Sequence, residues 1–384
     1  MSQPVVILGS GLAGYNLARE FRKADKDTPL VIVSRDDAGF YSKPMLSNAL
    51  AGGKTAAALV MKPAATMAAE LNATVLPRSK ACRIDTAART VELADGRALA
   101  YRDLVLALGA DPIRVPLAGD AAGDVLSVND LDDYARFAES LAGVKAVALL
   151  GAGLIGCEFA NDLLARGIVP TVLDLADRPL SRLLPEAASA FLRQRLEAAG
   201  AVFRFGVAAD RVDHAAGGGL RVTLGDGAVL DVDLVLSAIG LRPRTALARA
   251  AGLAVNRGIV VDRLLATSAP NVHAIGDCAE VEGLNLPYVM PLMNQARALG
   301  ATLAGTPTRL GYPAMPVTVK TPACPTVVCP PPADAAGHWT TDDSEGGCEA
   351  RFHHADGTLL GFAVMGSATA RKQALAAQVP PLLA

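Results

Sequence analysis

The chain has 384 residues, 36 Lys+Arg against 38 Asp+Glu, and a formal charge of −2. It therefore has no surplus of positive charge with which to hold nucleic acid or an anionic membrane surface. Half of it is apolar (51%) and 19% is charged, the balance of a globular protein with room for two or three domains at roughly 150 residues each. The first apolar run has no basic flank and is cut short by glycines, and no stretch reaches the ~20 apolar residues that span a bilayer. Six scattered cysteines fit reduced thiols better than a disulfide framework. The expectation is a cytoplasmic globular enzyme.

Val5 to Leu8 is a β-branched and aliphatic run that predicts a buried strand, followed by Gly9-Ser10-Gly11-Leu12-Ala13-Gly14. In such a motif the first glycine makes the tight turn and the second lets backbone approach a pyrophosphate. The third lets the helix lie close on the strand, with its positive N-terminus toward the phosphates. The helix is predicted from about Leu12 to Lys23, with Leu17, Ala18 and Phe21 inward, and Leu30 to Val33 is the second strand. An acidic residue should close that strand to bind a ribose hydroxyl. Ser34-Arg35 stands there instead, with Asp36 and Asp37 just beyond. Either aspartate substitutes, or the ribose contact is weaker.

Lys43-Pro44 opens a short helix, proline being suited to a first turn. A lysine in this position is ordinarily a solvated charge. Residues 74 to 108 switch to strand periodicity, with a hairpin signal at Asp95-Gly96 and a strand ending in Gly109. Pro112 and Pro116 mark a linker, and Asn129 to Tyr134 caps a helix running to about Leu141.

A second fingerprint then follows an apolar run: Gly151-Ala152-Gly153-Leu154-Ile155-Gly156, with Glu158 just after it. Its second strand ends at Asp174, 18 residues after Gly156. A carboxylate there binds the adenosine ribose and repels a 2′-phosphate, which favours NADH over NADPH, although Arg178 is near enough to accept such a phosphate. Thr90–Gly109 and Arg221–Gly240 are parallel in pattern: hairpin, then an apolar strand with a terminal glycine. The chain thus contains two homologous nucleotide-binding units. Asn271 to Glu280 adds a strand ending in Gly276-Asp277, where a carboxylate can meet a hydroxylated chain or cap the next helix.

The two glycine fingerprints and Gly276-Asp277, in that order, resemble the FAD-dependent pyridine nucleotide-disulfide oxidoreductase superfamily over nearly the whole chain. The resemblance implies an α/β protein: two Rossmann-like FAD/NAD(P)-binding domains of the three-layer ββα type and a small α+β C-terminal domain. Residues 1–112 with 241–312 would bind FAD, 113–240 would bind NAD(H), and 313–384 would form the last domain. It places FAD on the first fingerprint, NADH on the second, and Asp277 on the ribityl or phosphate part of FAD. Gly109 and Gly240, at matching strand ends, are expected beside the two nucleotides.

Disulfide reductases of the superfamily carry a cysteine pair in the loop near residues 40 to 50, and peroxidase and oxidase relatives keep one. This chain has none there, and Lys43 takes the place. Hydride enters the flavin but no thiol relay removes it, which points to a one-electron iron protein as acceptor. Tyr41-Ser42-Lys43-Pro44-Met45-Leu46-Ser47, Cys157-Glu158 to Asp162, Tyr288 to Leu292 and Met315 to Pro325 resemble the bacterial rubredoxin–NAD reductases, which serve alkane hydroxylation. That resemblance implies that Lys43, Ala81, Glu158, Asp277, Val289 and Lys320 line the FAD, with Lys43, Glu158 and Lys320 as the catalytic set. Lys320 would then sit by the flavin pyrimidine and balance charge on the reduced ring.

Rubredoxin is the expected partner of a monomer or homodimer. A ferredoxin or flavorubredoxin is the alternative acceptor, and an NADH oxidase or peroxidase is the rival class. Pro316 to Thr321 alternates like an edge strand. Cys324 and Cys329 imitate a redox pair in spacing, but a strand sends residues five apart to opposite faces. Cys157 and Cys278 read as packing residues, and no histidine spacing suggests a metal site.

Overall fold

The computed structural model describes residues 3–384. Strand β1 (Val5–Leu8) is buried at every position, as a parallel strand covered on both faces must be. Helix α1 (Leu12–Ala24) follows it, with Leu17, Ala18 and Phe21 buried as its periodicity predicts. β2 (Leu30–Val33), β3 (Thr74–Leu76) and β4 (Asp103–Leu106) join β1 in parallel in the order β4-β1-β2-β3. The edge beyond β4 is taken by Val272–Ala274, which returns after the entire second sheet. A three-stranded antiparallel insert, Ala81–Asp85, Thr90–Leu93 and Ala98–Ala100, turns at Asp95-Gly96 and adds Ile84, Val91 and Leu93 to the core of this sheet.

α2 (Leu131–Ser140) starts within the stretch Asn129 to Tyr134 expected to cap it. Asp130 is the N-cap, its side chain accepting from the Asp133 N–H. β5 (Ala146–Leu150), α3 (Leu154–Leu164), β6 (Val169–Asp174), β7 (Val202–Phe205) and β8 (Leu234–Ser237) then repeat the first pattern, with parallel order β7-β6-β5-β8. A second three-stranded antiparallel insert, residues 209–232, covers this sheet. The chain leaves the first sheet through Ala110–Pro112 and comes back through Leu241–Pro243, and these two segments pair antiparallel.

After the return come β9 (Val272–Ala274) and α4 (Val289–Leu303), whose buried Ala296, Leu299 and Leu303 share the core with α1. The last unit is an antiparallel sheet: β10 (Val317–Val319), β11 (Thr326–Cys329), β12 (His338–Ser344), β13 (Gly347–His353) and β14 (Leu359–Gly366), in the order β10-β11-β14-β13-β12. β10 is an edge strand, as its alternation predicts. Val319, Val328, Ala363 and Met365 share one apolar core with Phe159 and Leu163 of α3 and with Leu46 and Leu50 of the segment that follows Lys43. Three distant parts of the chain are thereby packed around α3. Among the described residues, no helix is long and apolar enough to cross a membrane.

Candidate functional site

The two fingerprints are built alike. Gly9 has φ +122°, and a Cβ on it would lie 2.1 Å from the Ala107 carbonyl oxygen; a Cβ on Gly14 would lie 1.9 Å from that of Gly9. In the second fingerprint Gly151 has φ +104°, and a Cβ on Gly156 would again meet the first glycine's carbonyl at 1.9 Å. The middle glycines differ from these. A Cβ on Gly11 or Gly153 would meet nothing within 4 Å, so the protein leaves open space at these two, where the backbone of such a motif would be approached by a pyrophosphate. Neither α1 nor α3 has a side-chain cap bond, which leaves first-turn N–H groups for an anion. Both cradles fit a pyrophosphate. Gly109 and Gly240, with φ of +71° and +120°, end the equivalent strand regions beside them.

Ser34 resolves into a small relay. Its hydroxyl donates to Asp36 Oδ1 at 2.5 Å and lies 2.6 Å from that of Ser10, while Asp36 also accepts from the Ala38 N–H at 2.9 Å. Asp37 faces outward and pairs with Arg78 at 2.6 Å. Of the two aspartates left open by the sequence, Asp36 is the one that joins Ser34. Arg35 turns to the crossover, 3.9 Å from Asp111 and 3.7 Å from Asp130.

Asp174 ends β6 with both carboxylate oxygens in use: Ala152 N–H at 2.6 Å and Ala176 N–H at 2.8 Å. It ties its strand to the fingerprint loop. Arg178 forms its ion pair with Asp177 at 2.7 Å. Ile155 and Leu175, the latter 76% exposed, leave apolar surface beside this loop.

Lys43 and Pro44 open a 3₁₀ turn, Lys43–Asn48. The Lys43 ammonium donates to Asn129 Oδ1 at 2.7 Å and stands 4.0 Å from Asp277 Oδ2. Burial pushes its pKa below the ordinary lysine value, and the Asp277 carboxylate opposes that shift. Glu158, 0% exposed, accepts from the Lys320 ammonium, from the Lys320 backbone N–H at 2.8 Å, and from the Ser47 hydroxyl. One turn on, Asp162 accepts from the N–H groups of Leu50 and Ala51 at 2.9 and 2.8 Å, and burial raises its pKa. Asn161 accepts from the Ala323 N–H at 2.9 Å. The helix that starts at the second fingerprint thus grips both the segment that follows Lys43 and the last unit.

Gly276, with φ +75°, donates its N–H to buried Gln295 at 2.6 Å, and Gln295 donates on to Tyr312 at 2.7 Å. This chain of bonds fixes the turn from which Asp277 projects; Asp277 makes no cap bond to the short 3₁₀ turn it sits in. Ala81, half-buried, begins the first insert, and Val289, 40% exposed, begins α4; as apolar positions they offer surface and no polar contact. Cys324 and Cys329 pack in different cores; the reason is not strand alternation, because Cys324 lies in the bend before β11 and only Cys329 is in the strand. Burial raises the thiols of Cys157 and Cys278, the latter to about 11. Both remain protonated at neutral pH.

Residues 3–300 match the family model described as pyridine nucleotide-disulphide oxidoreductase. The chain belongs to this family. Residues 309–379 match a second model, described as rubredoxin binding C-terminal domain. Among curated proteins, the chain is 49% identical to the rubredoxin-NAD(+) reductase of Alcanivorax borkumensis, over 99% of both chains. It is 47% identical to that of Acinetobacter baylyi, over 97% of this chain and 96% of the other. Among solved structures, a ferredoxin reductase from Rhodopseudomonas palustris matches with a TM-score of 0.89 at 28% identity, over 99% of this chain and 96% of that one. For a pyridine nucleotide-disulphide oxidoreductase, the telling local feature is a lysine, and no cysteine, at position 43.

The sequence reading left Asp36 and Asp37 undivided, and it missed the bonds from α3 to segment 43–51 through Ser47 and Asp162, and Asn129 as a partner of Lys43. The one available signal was polarity: Asp162 is a charged residue in a helix otherwise buried along most of its length.

Proposed function

We propose that this chain oxidises NADH on FAD and passes the electrons on, one at a time, to rubredoxin. The observation that carries the reading is the reach of α3. Its N-terminus is the second nucleotide cradle, and through Glu158 its flank holds Lys320, which lies in the segment that matches a rubredoxin-binding domain. The absence of cysteine from residues 40 to 50 removes the thiol relay that would lead elsewhere. On this reading 1–112 with 241–312 hold FAD, 113–240 hold NADH, and 313–384 serve the acceptor.

When bound, FAD supplies hydride acceptance and release of electrons singly. The protein's part is to bind and to set charge. Gly9 to Gly14 offer backbone N–H groups to the FAD pyrophosphate, the Ser10–Ser34–Asp36 relay serves the ribose, and Asp277 serves the hydroxylated linker. Gly151 to Gly156 do the same for the NADH pyrophosphate, with Asp174 holding the loop and disfavouring a 2′-phosphate. Lys43 and Lys320 place positive charge in the site, and Glu158 and Asp277 fix where each ammonium stands. We place the protein in the cytoplasm, serving an oxygenase of the alkane-hydroxylating type.

Anaerobic titration with NADH is expected to bleach the flavin spectrum, and stoichiometric oxidised rubredoxin to restore it. Restoration by a ferredoxin but not by rubredoxin would move the acceptor class. Peroxide-dependent NADH turnover would replace the reading with a peroxidase.

A further inference from the structure

We propose that Asn129 is a positioning residue for the flavin-loop lysine: its side-chain carbonyl, carried on the crossover into the second unit, fixes the Lys43 ammonium in the site. The inference rests on the flavin reading of Lys43 given above.

Asn129 is 5% exposed and sits at the foot of α2, 86 residues from Lys43 in sequence. Its side-chain oxygen, side-chain nitrogen and backbone N–H are each committed. Oδ1 accepts from Lys43 Nζ at 2.7 Å, Nδ2 donates to the Ala110 carbonyl at 3.0 Å, and the backbone N–H donates to Asp133 Oδ2 at 3.0 Å. The helix cap beside it is supplied by Asp130, so capping does not explain an asparagine here. The two ends of the amide do. Lys43 needs an acceptor and Ala110 needs a donor, and at this size only an amide offers both. Aspartate would lose the donor, and leucine would lose both.

Every charged group that faces Lys43 comes from another part of the fold. Asp277 projects from the turn after β9, Asp111 lies within the first of the paired crossover segments, and Arg244 follows the second. Asp130 precedes α2. The three carboxylates favour the ammonium, whereas burial and Arg244 disfavour it. Asn129 makes the one direct hydrogen bond to this ammonium among the described residues. A neutral acceptor in contact favours the charged form and holds its position without adding net charge to the site. The crossover therefore sets both the place and the protonation of a cation belonging to the other unit.

The test uses the full FAD-loaded protein with no acceptor protein, following the flavin spectrum and the rate of NADH-driven bleaching against pH. Wild type is expected to lose rate along an alkaline limb that Lys43→Met abolishes. Asn129→Leu is expected to move that limb down by about one pH unit, and Asn129→Asp to move it up. With Lys43→Met in the background, neither change should alter the pH profile. A residue that only braced Ala110 would give Leu and Asp the same direction of effect, because both lose the donor. Shifts in one direction, an unmoved limb in Asn129→Asp, or no Lys43-dependent limb at all would overturn the proposal. If Asn129→Leu does not retain FAD, the direction in Asn129→Asp decides alone. Failure of wild type to reduce rubredoxin would sink the acceptor reading and leave this limb unaffected.

Discussion

Glu158, fully buried, and Lys320, partly buried, form a pair in which one carboxylate receives both the ammonium and the backbone N–H of the same lysine. The lysine is thereby held at two points, tip and root. Its partner comes from the helix that follows the second fingerprint, so this contact joins that helix to the segment matching the rubredoxin-binding model.

Breaking the pair should show in both stability and cofactor retention. Glu158→Ala removes the acceptor of three hydrogen bonds and leaves a partly buried cation without its partner, a loss of about 3 kcal/mol. The expected result is a melting temperature lower by roughly 5 °C and reduced FAD content. Ser47→Ala, which removes only the third donor, should cost about 1 kcal/mol. Differential scanning fluorimetry with flavin quantification reads both, and an unchanged Glu158→Ala protein would refute the pairing.

The two fingerprints should be separable by single methyl groups. Gly9→Ala places a Cβ 2.1 Å from the Ala107 carbonyl at φ +122°, and Gly151→Ala places one 2.8 Å from the Ala238 carbonyl at φ +104°. Both conformations are strained for any residue with a Cβ. Gly9→Ala is expected to purify colourless. Gly151→Ala is expected to stay yellow and be bleached by dithionite, yet lose NADH-driven bleaching at least tenfold. The opposite assignment of colour would reverse the two sites.

Asp174 is the proposed determinant of coenzyme choice. Asp174→Ala is expected to raise KM for NADH about tenfold while changing that for NADPH much less, measured by steady-state reduction of an artificial acceptor. Part of the loss arises from the fingerprint loop, since the carboxylate also receives the Ala152 and Ala176 N–H groups. Asp174→Asn, which keeps one acceptor, should therefore fall between. A wild type that already prefers NADPH would contradict the role.

His273 gives the fold an acid-side weakness. It lies buried in β9, and burial lowers its pKa below the ordinary 6.5, with Asp103 opposing. The unfolded chain therefore binds a proton below about 6.5 that the folded chain resists. Stability falls as pH drops from there to the lower folded value, and is unaffected at higher pH. Melting temperature between pH 7.5 and 5 is expected to decline less in His273→Gln than in wild type. Parallel curves would show that His273 does not contribute.

What the sequence disclosed and what it hid divide by distance along the chain. Gly9 to Gly14, Gly151 to Gly156, Asp174 and the inward face of α1 were legible, because each follows from neighbours within one strand–turn–helix unit. Ser34 was legible only as a gap, since the residue that completes it lies two positions on and acts through a hydroxyl. Asn129 looked like a cap because it stands beside one; its actual partner, Lys43, is brought there by the packing of two sheets. Lys320 and Glu158 could be named from resemblance, but which segment each would hold depended on tertiary structure. No local periodicity records a bond between a helix in one unit and an edge strand in another.

The coenzyme-side unit is attached by Ala110–Pro112 and Leu241–Pro243, two segments hydrogen-bonded to each other, with Arg244 donating across to Asp111 at 2.6 Å. A single tether would act as a swivel, whereas a two-stranded ribbon resists twisting and bends most easily about one axis. Any opening of the nicotinamide side should then follow a door-like arc and not a free rotation. Asn129 is joined to the same ribbon through Ala110, so it would ride close to the door's hinge, where displacement is smallest.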